Sequence, residues 1–203
     1  LAVLKAERNN EEVENKLRSK GIYNLTYEEL TTDEKNKVDE YFEENILPIV
    51  SPLTVDSRHP FPNFLNNNLY IICDVNIEGD DFIGIVPKPL ALKDYFIIKK
   101  SNELKYILTE EIIKGNLDEI FQNKTRDKAV ISVTRNADLD LEEGLDEFDH
   151  DIRKHMRKSL KKRRRLGPVR LQINGNISKL SLLYLQENLN LNDSQTYYTN
   201  TPI

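Results

Sequence analysis

Residues 129–173 sort their charge end to end, and this constrains the fold more than any other feature of the sequence. The stretch opens on Ala129-Val130-Ile131-Ser132-Val133-Thr134, whose alternation predicts a β-strand. Arg135-Asn136-Ala137-Asp138-Leu139 then leads into a polar helix ending near Gly167, and beyond Gly167-Pro168 the spacing of Val169, Leu171 and Ile173 predicts a second strand. Eight carboxylates fall between Asp138 and Asp151, and ten cations with no acid between Arg153 and Arg170. Acids near a helix N-terminus and cations near its C-terminus each complement the macrodipole by about 0.3–1 kcal/mol where exposed, so much of this order serves the helix itself. The dipole does not call for five consecutive cations, Lys161-Lys162-Arg163-Arg164-Arg165, just ahead of the turn. Two readings of them stand side by side. They form either a solvated helix end or an edge that contacts phosphate-type anions, for which arginine forks are suited.

The rest of the chain surrounds this stretch with shorter elements. Val3, Leu4, Val13 and Leu17 keep a loose helical period up to Gly21, placed as a C-cap; residues 1–21 are expected to be the end of a preceding domain or a connecting helix. Residues 22–203 are expected to form one further domain. Thr31-Thr32-Asp33-Glu34 is a capping box opening a helix with Val38, Tyr41, Phe42 and Ile46 on one face, and Pro48 is expected to push Leu47 out of the α region and end it. Four prolines between Pro48 and Pro62 stiffen an extended connector that is rich in apolar residues. It holds His59, more readily a hydrogen-bonded structural residue than a catalyst.

Leu69 to Ile77 predicts a strand, Glu78-Gly79-Asp80-Asp81 a turn, and Phe82 to Val86 its partner. Tyr95 to Ile98 and Leu104 to Leu108 predict a second hairpin. Thr109-Glu110-Glu111 is expected to cap a helix with Ile113, Leu117, Ile120 and Phe121 on one face. In the polar helix Leu145, Phe148, Ile152, Met156 and Leu160 form the buried stripe, with His155 beside it and His150 nearer the polar side. A last helix carries Leu182, Leu183, Leu185 and Leu189, followed by a short 196–199 segment. The fold class is therefore α+β, a mixed and largely antiparallel sheet built from hairpins with packed helices.

Composition narrows the chemistry. A net charge of −5 argues against nucleic-acid binding by bulk charge, so any anion site is local. The single cysteine, Cys73, excludes an intramolecular disulfide and fits a reducing cytoplasm. No apolar run is long enough to span a bilayer. GxxxxGK[ST], GxGxxG, HExxH and GxSxG are all absent, and Glu110-Glu111 and Glu142-Glu143 are more simply dipole partners than cation ligands. No catalytic residue and no metal site is assigned. Leu1 at the start, Met156 as the only methionine and a stop inside the loop 199–203 read as a segment of a longer protein.

Several blocks in fixed order resemble a known family. They are Gly21-Ile22 with Tyr27-Glu28-Glu29-Leu30, Tyr41-Phe42 to Leu47-Pro48-Ile49, Ser51-Pro52-Leu53-Thr54-Val55-Asp56 with His59-Pro60-Phe61-Pro62, Asn116-Leu117-Asp118-Glu119-Ile120-Phe121, Val133-Thr134-Arg135-Asn136-Ala137-Asp138-Leu139, the Arg163-Arg164-Arg165 run, and Pro168-Val169-Arg170-Leu171. Over nearly the whole chain this resembles the middle, or head, domain of bacterial polyphosphate kinases of the histidine-phosphorylating type. One departure is Asn66-Asn67-Asn68, where the family more often has Ser/Asn-Leu-Ser. The resemblance implies a fold similar to a phosphohistidine phosphatase, in a parent enzyme that reversibly moves the terminal phosphate of ATP to polyphosphate through a phosphohistidine, with Mg²⁺. It also implies that the catalytic histidines, ATP and Mg²⁺ contacts lie in other domains, that this segment is inactive alone, and that it contributes to dimer contacts and to the polyphosphate tunnel wall. Its partners would be those other domains, a second copy in a homodimer or higher oligomer, and polyphosphate; the resemblance does not localise the polyphosphate contact, for which the charge pattern offers Lys161, Lys162, Arg163, Arg164 and Arg165 as candidates. The competing reading is an independent anion- or RNA-binding module that uses the same basic helix end.

Overall fold

The computed structural model describes residues 2–56, 60–100, 103–136 and 167–203. His59, the turn residues Ser101 and Asn102, and the polar helix with its apolar stripe, His150, His155, Glu142, Glu143 and Lys161 to Arg165 lie outside the described residues. In order, the elements are α1 (Ala2–Arg18), β1 (Ile22–Leu25), α2 (Thr32–Tyr41), β2 (Leu53–Val55), β3 (Leu69–Ile77) and β4 (Asp80–Pro87). There follow β5 (Tyr95–Lys100), β6 (Glu103–Leu108), α3 (Thr109–Gly115), α4 (Leu117–Phe121), β7 (Thr125–Arg135), β8 (Pro168–Gly175), α5 (Lys179–Leu189) and β9 (Thr196–Tyr198).

The class is α+β, with the strands divided over two sheets. Six form the order β2-β4-β3-β7-β8-β9, and three form β1-β6-β5. Among the described residues β8 with β9 and β1 with β6 are parallel pairs, and the remaining pairs are antiparallel. β3 lies inside the large sheet and is buried on both faces, which explains its nearly continuous apolar sequence. Ile71, Cys73 and Val75 face a core shared with Val38, Phe42, Ile46, Ile98, Ile107, Ile112 and Leu117. Tyr70 and Ile72 face the opposite core, with Phe64, Ile131, Leu171, Leu185 and Leu189. Each fully buried Ile or Phe contributes about 1.5–3 kcal/mol, so the large sheet is held from both sides. Asp74 continues the second face: it accepts the Ser181 hydroxyl at 2.6 Å and the Ser178 hydroxyl at 3.1 Å, docking the N-terminus of α5. Burial pushes the Cys73 thiol up to about 12, consistent with a small apolar packing residue.

Several local expectations are corrected. Leu47 stays helical (φ −54°, ψ −40°), because α2 runs on into a π turn, Phe42–Ile46, closed by the Leu47 N–H to the Phe42 carbonyl at 2.8 Å. A wider turn relieves the crowding that the Pro48 ring would impose on the carbonyl four residues back. The 78–81 turn shortens to Glu78-Gly79, both with positive φ (54° and 96°), and Ile77 pairs directly with Asp80. The proline-rich connector contributes an edge strand, β2, paired with β4.

The helix expected from Thr109 breaks at Asn116 into α3 and α4. Thr109 is inside α3, not its cap, because its hydroxyl donates to the Lys93 carbonyl at 2.6 Å. In α5 Leu185 and Leu189 are buried while Leu183 faces out; Ser181 and Gln186 take its place on the inner face. Val13 on α1 is also exposed.

Candidate functional site

The five predicted cations belong to residues 137–166, and the described residues on either side, Asn136 and Gly167, meet at one point of the large sheet. The Asn136 N–H donates to the Gly167 carbonyl at 3.0 Å, where β7 ends and β8 begins. The rim around this neck is built from residues far apart in sequence. Arg135 donates from Nε to the Phe64 carbonyl at 2.8 Å and from its guanidinium to Asn63 Oδ1 at 3.3 Å, while its backbone N–H donates to Asn66 Oδ1 at 2.7 Å.

The Asn66-Asn67-Asn68 run is what makes this possible. Asn67 takes a left-handed conformation (φ 54°), which asparagine tolerates better than most residues. Its N–H reaches the Val133 carbonyl at 2.9 Å, and its Oδ1 accepts the Thr134 hydroxyl at 3.2 Å. The Ser132 hydroxyl donates to the Asn68 carbonyl at 3.2 Å.

Arg170 pairs with Thr134 across the β7–β8 ladder, and its guanidinium lies over the Tyr197 ring, 5.1 Å from the centroid. Its Nε is buried with no hydrogen-bond acceptor. Beside this rim is a cleft of about 390 Å³ lined by Asn67, Asn68, Lys88, Asp94, Ser132 and Gln172 among others. Lys88 forms ion pairs with Asp94 at 2.9 Å and Glu110 at 3.2 Å. Burial pulls the ammonium down, but Asp94 and Glu110 outweigh it and raise its pKa. The rim can therefore hold two arginines in fixed positions at the base of the segment that carries the basic run.

Of the site residues expected from sequence, Lys161, Lys162, Arg163, Arg164 and Arg165 all lie outside the described residues. Glu110 and Glu111 are described and are tied to lysines, Glu111 to Lys114 at 2.5 Å and Glu110 to Lys88. Among the described residues no group of three or more His, Cys, Asp or Glu side chains could hold a metal ion, and none of the described helices is long and apolar enough to cross a membrane. Sequence reasoning did not place Arg135 and Arg170 in the site, although both stand in blocks that carry the family resemblance. The contacts that hold Arg135 come from residues 63–66, about seventy positions away (|i−j| of 69 to 72). No local pattern announces such a pairing.

Comparison with known proteins gives a consistent result. The family model described as the polyphosphate kinase middle domain matches residues 33–203. The polyphosphate kinase of Bacillus anthracis is 32% identical over 196 residues, which cover 92% of this chain and 28% of that protein. That of Dictyostelium discoideum is 32% identical over 190 residues, covering 92% of this chain and 18% of it. The chain thus spans well under a third of the length of these relatives. In three dimensions the fold is similar to the crystal structure of the polyphosphate kinase from Porphyromonas gingivalis, with a TM-score of 0.73, 18% identity, and coverage of 95% of this chain and 27% of that one.

Proposed function

This chain belongs to the polyphosphate kinase middle-domain family, and from that premise we propose that it works as an accessory domain of an enzyme that moves the terminal phosphate of ATP to polyphosphate and back. In this reading residues 22–203 are the middle domain and residues 1–21 lead in from the domain before it. The sheet supports that boundary: β1 is already part of the three-stranded sheet, and the Gly21 carbonyl accepts the Leu104 N–H at 2.9 Å. ATP, Mg²⁺ and the phosphorylated histidine are assigned to other domains of the parent, which pairs as a homodimer or higher oligomer. The segment lends a wall to the polyphosphate path, with Lys161, Lys162, Arg163, Arg164 and Arg165 as its anion contacts.

The observation that carries the reading is the family match over residues 33–203. The described rim adds that Asn136 and Gly167, the residues flanking that segment, are hydrogen-bonded beside Arg135 and Arg170. Clustered cations suit a polyanion because each phosphate neutralised releases counterions.

The test compares this 203-residue chain with the full-length protein in an assay for labelled phosphate moving from ATP into polyphosphate. The full-length protein is expected to synthesise polyphosphate and the isolated chain to form neither ADP nor polyphosphate. Turnover by the isolated chain would overturn the accessory role, and an inactive full-length protein would overturn the kinase reading.

A further inference from the structure

Of the four sheet edges among the described residues, three are very short: β1 has four residues, β2 three and β9 three. The fourth, β5, runs for six residues along the three-stranded sheet. Its pairing with β6 is unbroken from Tyr95 opposite Leu108 to Lys100 opposite Glu103, and it contains neither a proline nor a residue of positive φ. Shortness, bulges and proline are what keep sheet edges from pairing with other chains, and here only the terminal Lys99 and Lys100 remain of such devices. The edge is also apolar. Tyr95 and Ile97 are 50% and 40% exposed, and a groove of about 870 Å³ lies between residues 91–97 and Tyr41, Asn45 and Ile49.

The backbone of β5 is set for a further strand. The Thr109 N–H donates to the Asp94 carbonyl at 2.9 Å, so Asp94 turns its backbone towards β6, and by alternation Tyr95, Ile97 and Lys99 turn theirs outwards. We propose that β5 pairs antiparallel with the β5 of a second copy of this chain, joining two three-stranded sheets into one. The inference rests on the homo-oligomer reading above and adds the surface that makes the contact.

Self-complementarity is what selects a second copy. In an antiparallel pair opposed residues share a face, so a twofold axis passes through one residue, and charge decides which. With Ile97 on the axis, Asp94 falls opposite Lys100, Tyr95 opposite Lys99 and Phe96 opposite Ile98. Unlike charges then close both ends and apolar residues fill the centre, the pairings that stabilise neighbouring strands. Moving the axis to Phe96 sets Lys93 against Lys99 and the buried Ile98 against Asp94. Moving it to Ile98 sets Phe96 against Lys100 and takes Asp94 past the end of the strand. Asp94 is available for the contact, because its side chain stays 83% exposed while it pairs with Lys88.

The test measures self-association of the full-length protein, of its Asp94→Lys and Lys100→Glu variants, and of an equimolar mixture of the two, by sedimentation at low salt. The wild type is expected to associate. Each variant alone is expected to do so about tenfold more weakly, since like charges then meet at both ends, and the loss should fade in high salt. The mixture is expected to regain wild-type association, because in the mixed dimer both ends again bring unlike charges together. Neither misfolding nor the mere loss of the Lys88 contact is repaired by mixing, so weak variants without that recovery overturn the proposal. Variants that associate as the wild type does overturn β5 as the surface and leave the oligomer reading intact, whereas a monomeric wild type overturns both. Polyphosphate synthesis by the same wild-type preparation tests the kinase reading separately.

Discussion

Glu34 shows how one side chain joins two parts of the fold. It sits in the first turn of α2, where its carboxylate accepts the Thr31 N–H at 3.0 Å and the Thr31 hydroxyl at 2.9 Å, and it reaches across to Lys105 on β6 at 3.0 Å. Burial pushes its pKa up, but the Thr31 N–H, the Lys105 ammonium and the Thr31 hydroxyl outweigh that and hold it at about 2. Asp118 is alike: burial raises it, and the Thr125 hydroxyl and N–H with Lys124 and Lys128 bring it to about 2. Both groups are more acidic folded than unfolded, so the unfolded chain binds more protons in that window and stability rises with pH there. Their contribution is complete above the ordinary carboxylate range and is lost as pH falls from about 4.5 towards 2. Denaturant midpoints should fall across that window, and Glu34→Gln should flatten the fall while costing about 1–3 kcal/mol at neutral pH. A midpoint as steep in the variant as in the wild type would count against this role. Gly115 makes a steric counterpart. A Cβ there would run into the Tyr27 ring, which cannot swing away because its hydroxyl donates to Asp39 at 2.6 Å and Lys35 covers its face. Gly115→Ala is therefore expected to destabilise by about 1–3 kcal/mol in equilibrium unfolding, as overpacking does.

Among the elements, the β3–β4 hairpin is the cleanest case of local chemistry setting register. Glu78 and Gly79 both take positive φ, the arrangement of a type I′ turn, in which asparagine is favoured at the first position and glutamate is not. Glu78→Asn should raise stability by a few tenths of a kcal/mol, read as a shifted denaturant midpoint with an unchanged slope. A lower midpoint would mean that the Glu78 side chain contributes more than its backbone costs. The hairpins were legible in the sequence because alternation and turn residues act over neighbouring positions; β3 and the β5–β6 pair lie where that pattern put them. The α3–α4 break was not, because it falls at Asn116, which leaves the helical region (φ −102°, ψ 17°) while its side-chain amide donates to the Ile112 carbonyl at 3.0 Å, with no glycine or proline at that position to signal it. β1 and β2 were missed as strands for a different reason: each is three or four residues long and exists only because a distant strand, β6 or β4, offers it an edge. The rim contacts of Arg135 with residues 63–66 were hidden likewise, whereas the basic run was legible because its five cations are consecutive.

For the molecule as a whole, the large sheet is filled on both faces, so under the proposed function any contact with a polyanion falls to the sheet rim or to residues 137–166. Arg135 and Arg170 are held at that rim, the first by hydrogen bonds that include those to Asn63, Phe64 and Asn66 and the second over Tyr197. The five cations 161–165 are a different matter: on the helix expected from sequence, successive residues are about 100° apart, so five in a row cannot share a face and three at most converge. If these converge on polyphosphate, replacing Lys162, Arg164 and Arg165 with Gln in the full-length enzyme removes up to three charge contacts. The apparent KM for polyphosphate should rise. The dependence of log KM on log salt should flatten by on the order of 1–2 units, since about 0.7 counterion is released per neutralised charge on a flexible polyanion. Exposed charges contribute less than about 1 kcal/mol each to folding, so thermal stability should hardly move, and a KM effect cannot be put down to unfolding. The helix-dipole reading makes the opposite forecast. It predicts a small loss of stability, because cations are removed from a helix C-terminus, with KM and its salt slope unchanged. Measuring both quantities on one triple variant therefore decides between a surface that guides a polyanion and a helix that merely balances its own charge.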